Sequence, residues 1–468
     1  STGSLDKGKQ IYEHLVNRGL LEKDSMLSNA VIHMYAKCGE LAKAQQVLDE
    51  LHVRNVVSWS TLIAGYVQLG RGHEALNCFE RMQNEGHSPN VVTFICSLKA
   101  CGLVGDIQKG QQIHEAIAKR GLLDTDIMLG NALIDMYGRC GMSKKAQEVM
   151  EELPVREVDT WSAVIAGYAQ QEEYQEALSC FKKMRDEGIS PNASIFICIL
   201  KLSGATGDID KGRQIHNEVA SRGLLEKDLL LTNALIDMYA KCGLFTKAKQ
   251  ILERLHFRNV ISWSSLIAGY AQQGQGHEAL DCFERMKNEG ISPDTVTFIC
   301  VLKACGSVGA VGHGKQIHNQ IISMGLIEKD IVLGTTLVDM YAKCGMLVKA
   351  QQVIEQLPIR NVISWSSLIA GYAHHGQGEE ALHCLQQMHN EGLPPNAITY
   401  VCILKACGSI GAIDKGKHIH EEIMSTEFLD KDVVLGNALV DMYAKCGVLE
   451  MAQQVFERLP CRDVVSWS

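Results

Sequence analysis

Cysteine and histidine carry much of the chemistry a chain can do, and this 468-residue sequence holds 17 of each. A structural zinc site would need C-x-x-C or comparable spacing, and no C-x-x-C pair occurs. The cysteines recur instead in Lys-Ala-Cys-Gly (Cys101, Cys305, Cys407) and Lys-Cys-Gly (Cys38, Cys242, Cys344, Cys446) at predicted helix ends. That placement suits small buried side chains in a reducing compartment. The recurrent histidines, His114, His216, His318 and His420, have Tyr12 in the equivalent first place, which argues for packing over catalysis or metal binding. No metal and no cofactor is expected.

The elements that hold these residues follow from one spacing. All five tryptophans (Trp59, Trp161, Trp263, Trp365, Trp467) sit in variants of Asn-Val-Val-Ser-Trp-Ser, each 102 residues after the last. A spacing held over four intervals is the mark of a repeat array, which buries a continuous core by stacking neighbours. Each period divides into three unlike units of 35, 36 and 31 residues, and each unit reads as two helices. In the first, Val57-Trp59-Leu62-Ile63-Tyr66 and Ala75-Leu76-Phe79-Met82 are apolar stripes at the helical period, with Gly70 between them. All eight prolines fall at unit ends, and nothing reads as a strand. The expected fold is all-α, a solenoid of helical hairpins.

By the 102-residue offset, residues 1–24 are part of a long unit, and 464–468 open a unit whose remainder is missing. Between them lie thirteen whole units at 25–55, 56–90, 91–126, 127–157, 158–192, 193–228, 229–259, 260–294, 295–330, 331–361, 362–396, 397–432 and 433–463. A net charge of -9 argues mildly against nucleic acid, although one face of an array can be basic while another is acidic. No apolar run approaches the roughly 20 residues that span a membrane, so no membrane partner is expected.

Val-Ser-Trp-Ser-x-Leu-Ile-Ala-Gly-Tyr, Leu-Lys-Ala-Cys-Gly, Gly-Lys-Gln-Ile-His and Asn-Ala-Leu-Ile-Asp-Met-Tyr-Ala-Lys-Cys-Gly follow one another in rotation. In that combination the chain resembles the pentatricopeptide repeat family, its PLS subclass in particular, with the units as S, P and L motifs in that order. The resemblance implies a right-handed superhelix holding single-stranded RNA, one nucleotide per P or S repeat. It also implies a mitochondrial or chloroplast address and a role in specifying C-to-U editing. Editing proteins of this type often end in a zinc deaminase bearing H-x-E with P-C-x-x-C. The P-C-x-x-C element is absent, so the chain is expected to be a binding array and not an enzyme, with any deaminase supplied elsewhere.

In the family, the fifth and last residues of a repeat read the base. On the P-like units these are Ser60 with Asn90, Ser162 with Asn192, Ser264 with Asp294, and Ser366 with Asn396. On the S units they are Asn29 with Asn55, Asn131 with Glu157, Asn233 with Asn259, Thr335 with Asn361, and Asn437 with Asp463. A small Ser or Thr leaves room for a purine, whereas Asn reaches a pyrimidine. A final Asp only accepts hydrogen bonds, suiting G or U, and a final Asn can donate to A or C. Read 5′ to 3′, the units spell C-A-n-Y-A-n-C-G-n-A-A-n-U. Second residues (Met26, Val57, Met128, Leu230, Ile261, Val332, Ile363, Val434) are apolar, as fits contact with a base face. The cations at position 13 of the S units, Lys37, Arg139, Lys241, Lys343 and Lys445, suit phosphates.

The L units carry Ile95, Ile197, Ile299 and Val401 fifth, which cannot hydrogen-bond a base, although Asp126, Asp228, Asp330 and Asp432 end them. They are expected to act as spacers, or as surfaces for multiple-organellar-editing factors. Two other readings compete: a protein-binding helical scaffold, and an RNA stabilisation or processing factor without editing. The scaffold reading leaves the polar fifth-and-last pairs unexplained.

Overall fold

The computed structural model describes residues 2–17, 24–51, 53–123, 126–225, 227–255, 257–425 and 432–459. Asp463 and the opening of the last P-like unit at 464–468 lie outside them. Among the described residues there are 27 helices and no strands. None of these helices is long and apolar enough to cross a membrane.

One P-like unit shows how the sequence builds the hairpin. Asn55 caps the helix Val56–Gln68: its side chain accepts from the Ser58 amide at 2.9 Å while Ser58 Oγ accepts from the Asn55 amide at 3.0 Å. This reciprocal pair satisfies two helix-start donors that would otherwise be orphaned. The helix closes at Gly70 with φ 71°, where Gly70 N–H reaches the Val67 carbonyl and Arg71 N–H the Tyr66 carbonyl. The second helix, Gly72–Asn84, then packs back on the first, with Ala75, Phe79 and Met82 buried on one and Trp59, Leu62 and Ile63 on the other. The L unit repeats this as Val91–Val104 and Ile107–Lys119, and the S unit as Ile127–Arg139 and Ser143–Glu152.

The chain forms two compact units, residues 1–231 and 232–468. Within each, the first helices of successive hairpins pack side by side, and each second helix packs on its own first helix. An outer ion pair links S to P: Arg54 Nη1 meets Glu85 Oε1 at 2.8 Å while Arg54 Nε donates to the Leu48 carbonyl at 3.0 Å. The pairs Arg156–Glu187, Arg258–Glu289 and Arg360–Glu391 repeat it. The indole N–H groups of Trp263 and Trp365 donate to Glu289 and Glu391, at 3.0 and 2.8 Å. In these two units the tryptophan both fills the core and reaches the ion pair that ties its hairpin to the previous one, whereas the buried indole N–H groups of Trp59 and Trp161 have no hydrogen-bond partner.

Spacing between first helices is set where the Ile-Ala-Gly-Tyr glycine crosses the S helix. A Cβ on Gly65 would lie 2.8 Å from Ala36 Cβ, and one on Gly269 would lie 2.5 Å from Ala240 Cβ. At the second crossing both residues are glycine: a Cβ on Gly167 would sit 3.1 Å from the Gly138 Cα. No side chain fits there without pushing the helices apart. Gly269→Ala is therefore expected to destabilise residues 232–468 by about 1–3 kcal/mol, the usual cost of overpacking. A lowered midpoint of urea unfolding followed by circular dichroism checks this, with the exposed Gly274→Ala carrying only its own φ 72° strain as comparator.

Candidate functional site

The last residue of each unit is the N-cap of the next unit's first helix, and this places the polar pairs. Asn90 Oδ1 accepts from the Thr93 amide at 2.9 Å and from Thr93 Oγ1 at 2.8 Å. Thr93 Oγ1 lies 2.7 Å from Ser60 Oγ, so the fifth and last residues of the P unit meet through one hydroxyl. Ser366, Thr399 and Asn396 repeat the chain of contacts at 2.6 and 2.9 Å. In two of the S units the joining hydroxyl bonds the fifth residue directly: Ser262 Oγ donates to Asn233 Oδ1 at 2.7 Å and to Asn259 Oδ1 at 2.9 Å. Thr160 likewise donates to Asn131 Oδ1 at 2.8 Å.

Two P units depart from this. Thr297 donates to Asp294 Oδ1 at 2.6 Å, and Ser264 turns to the Ile261 carbonyl at 3.1 Å. In the other, Ile195 stands where Thr93, Thr297 and Thr399 do, so the Asn192 cap at 3.0 Å has no hydroxyl link to Ser162. Thr335 bonds back to the Ile331 carbonyl, and Asn361 caps the Ser364 amide. Asn29 Oδ1 is buried without a protein partner. Asn437 lies half-buried in the same register, whereas its partner Asp463 falls outside the described residues. The joining Ser or Thr three residues after each cap was missed from sequence, although a cap followed by a hydroxyl at the third position was there to be seen.

Between the first helices of the opening S, P and L units lies a cavity of about 340 Å³, lined by His33, Lys37, Val57, Ser60, Asn90 and Val92. Second-position residues are exposed apolar side chains in each compact unit: Val57, Leu230, Met128 and Met26 (79% accessibility) in the first, and Ile261 (45%), Val332, Val434 and Ile363 in the second. Isolated apolar residues on a surface are ordinary, but here an exposed apolar side chain recurs at the same position of most hairpins. The pattern also includes Val92, Val296 and Ile398 of the L units, which sequence reasoning left out. It breaks at the second period, where Asp159 and Ser194 are exposed and Glu157 ends the preceding unit. Ile95, Ile197, Ile299 and Val401 are half-buried. The L-ending aspartates serve as caps, Asp126 accepting from the Met128 and Leu129 amides at 3.0 and 3.2 Å.

The position-13 cations are placed differently from one another. Arg139, Lys241, Lys343 and Lys445 each pair with an aspartate four residues earlier, Asp135, Asp237, Asp339 and Asp441, at 2.8–2.9 Å. Lys37 has His33 at that place and, among the described residues, no carboxylate partner. A larger cavity, about 650 Å³, opens between the second helices Gly378–Asn390 and Ile413–Met424, where Leu385 replaces the bulkier Phe79, Phe181 and Phe283. None of the fifth or last residues lines it.

Cysteine and histidine take structural places. Burial pushes the Cys101 and Cys305 thiols up to about 12, far from a reactive thiolate at neutral pH. Among the described residues no group of three or more His, Cys, Asp or Glu side chains could hold a metal ion. His114, His318 and His420 place Nδ1 2.9 Å from the hydroxyls of Tyr137, Tyr341 and Tyr443, bridging the L unit's second helix to the S unit's first.

The PPR repeat family profile matches residues 54–102, 156–201, 258–307 and 360–409, and the PPR repeat profile 27–56, 131–158, 232–260, 335–362 and 437–464. A pentatricopeptide repeat-containing protein of Arabidopsis thaliana is 34% identical over 468 residues, covering 99% of this chain and 82% of its own length. A chloroplastic relative from the same plant is 34% identical over 94% of this chain and 70% of its own length. A mitochondrial one is 32% identical over 98% and 66%. Among solved structures, the maize pentatricopeptide repeat protein PPR10 shares the fold, with a TM-score of 0.61 and 20% identity over 96% of this chain and 68% of that one. Its complex with an 18-nt psaJ RNA element gives a TM-score of 0.62 at 20% identity, covering 95% and 75%.

Burial disfavours the imidazolium of all three tyrosine-bonded histidines and lowers their pKa below the ordinary 6.5. Glu152 and Glu115 oppose this at His114 while Lys145 adds to it; Lys349 adds to it at His318, and Arg458 at His420 against Glu421. The unfolded chain therefore binds these protons first, so the stability held above the ordinary value is lost as pH falls through the lowered folded values. Thermal unfolding between about pH 7 and pH 5 should show a falling midpoint. His318→Gln should flatten that fall.

Proposed function

Since the chain belongs to the pentatricopeptide repeat family, we propose that it binds single-stranded RNA in a sequence-specific manner, one base at each P and S unit. In this reading it is a PLS-type array that addresses a mitochondrial or chloroplast transcript for C-to-U editing. The observation that carries it is the junction of Ser60, Thr93 and Asn90 beside the cavity flanked by Val57 and Val92. At Asn55, Asn90, Asp294, Asn361 and Asn396 the helix-start amide claims an oxygen from the unit's last side chain. An Asn at that place is left with its Nδ2 donor, and an Asp with its second acceptor oxygen. The amide thus orients the last residue so that Asn meets A or C and Asp meets G or U. The fifth residue then sets the room for purine or pyrimidine. The exposed apolar second residues supply a surface for base faces, as single-stranded RNA recognition requires. The unit boundaries follow the helix starts, with S, P and L in rotation. The base-reading pairs are those named from the sequence. The fifth S unit, Asn437 with Asp463, reads U.

This reading assigns chemistry to the deaminase only as a partner in cis or in trans. Multiple-organellar-editing factors would meet the L units. A role in RNA stabilisation or processing uses the same array, and transcript analysis, not binding, separates it from editing.

Selection of the purified chain against random RNA should enrich C-A-n-Y-A-n-C-G-n-A-A-n-U, with purines opposite Ser162, Ser264 and Ser366. Recovery without that enrichment overturns the reading. Asp294→Asn leaves the cap intact and replaces an acceptor with a donor, so the preference at that one position should move from G toward A. The switch should amount to about 1–3 kcal/mol, the scale of a good side-chain-to-base pair, with the rest of the site unchanged.

A further inference from the structure

An acidic array that grips RNA must put its free cations where the phosphates pass, and the S-unit cations are poorly suited to that. Arg139, Lys241, Lys343 and Lys445 are each matched by their own aspartate within 2.9 Å. Three of them also lay their aliphatic stems across an L-unit glycine. A Cβ on Gly102, Gly306 or Gly408 would come within 3.0–3.4 Å of the stem of Arg139, Lys343 or Lys445. These side chains strap neighbouring first helices together, with most of their charge cancelled locally.

The ninth residue of each L unit, the lysine of Leu-Lys-Ala-Cys-Gly and its variant Leu-Lys-Leu-Ser-Gly, has the opposite character. Lys99, Lys201, Lys303 and Lys405 are all exposed, and among the described residues none of them is in an ion pair. Residues three and four positions away on the same helix carry no charge: Cys96, Ile95, Gly102 and Leu103 surround Lys99. Each sits at the middle of a 14-residue helix, too far from its end to serve the helix dipole. The ninth position also faces the groove: in the first S and P units it is His33 and Ala64, both lining the cavity with Ser60, Asn90 and Val57. Lys37 adds one more free cation there, because His33 stands where the other S units have the pairing aspartate.

We propose that the L-unit lysines, Lys99 and Lys201 of the first compact unit with Lys37 and Lys303 and Lys405 of the second, are the phosphate-binding residues of this chain. The paired S-unit cations are structural straps. The inference rests on the RNA-binding reading and changes the part played by the L units. They carry no base-reading pair, but hold the backbone between one pair of read bases and the next.

Phosphate contacts are counted by the salt dependence of binding, with about 0.7 units of log-log slope for each contact to a single strand. The test compares three full-length variants on one matched RNA. In the first, Lys99, Lys201, Lys303 and Lys405 become Gln. In the second, Arg139, Lys241, Lys343 and Lys445 become Gln. In the third, Asp135, Asp237, Asp339 and Asp441 become Asn. The first should lose about three units of slope while keeping the parent's base preference. The second should lose less than about one unit, although its melting midpoint should fall. The third, with its cations freed, should steepen beyond the parent. Loss of slope in the second variant with none in the first overturns the proposal, as does an unchanged slope in all three while base preference persists. The exposed first set is checked for folding by its unchanged helical signal. Failure of the parent to bind RNA at all overturns the functional reading and this inference with it, and so is told apart from failure of the lysine assignment alone.

Discussion

A helix start needs an acceptor, and most of the described unit junctions are built around that need. The last side chain of one unit offers an oxygen to the amides that open the next helix, and at Asn55, Asn90, Asp294 and Asn361 a Ser or Thr three residues on bonds back to the cap residue. A cap of this kind contributes about 1 kcal/mol on its own. Its larger effect is geometric. It fixes which atom of each last side chain is consumed by the fold and which remains, so that a row of otherwise mobile polar side chains stands in one orientation along the first helices. The tryptophan, the Arg–Glu ion pairs and the glycine crossings hold those helices in register around it.

Much of this was legible in the sequence because repetition removes ambiguity. The helical hairpins follow from apolar stripes and closing glycines read several times over, and His114 was assigned to packing from Tyr12 in the equivalent place. Pairings between units were less legible. Nothing in a linear reading joins Ser60 to Thr93, or lays Arg139 over Gly102, because these contacts depend on how far one helix is offset against its neighbour. The position-13 cations look alike as a column of Lys and Arg. The aspartate four residues before most of them decides their electrostatic character, and His33 breaks the series at Lys37 alone.

The second period shows the same physics where it is least satisfied. Asp159 and Ser194 interrupt the apolar pattern, Glu157 replaces a shorter cap, and Ile195 removes the hydroxyl that elsewhere joins fifth and last residues. The hairpins there still pack, with Trp161, Val164 and Ile165 fully buried. Core and groove surface are therefore separable: a hairpin can keep its stack while its exposed positions drift.

The glycine crossings have a consequence of a different kind. They set the step from one first helix to the next, and a bound strand would have to match that step, letter by letter. In the proposed reading a change in a fifth or last residue is then a misprint, altering one letter and sparing its neighbours. A bulky residue at Gly65, Gly269 or Gly371 would act as a shift of frame, moving every later letter relative to the strand while leaving each reading pair chemically intact. In a chain of this kind the residues most able to erase a message are the ones that read none of it.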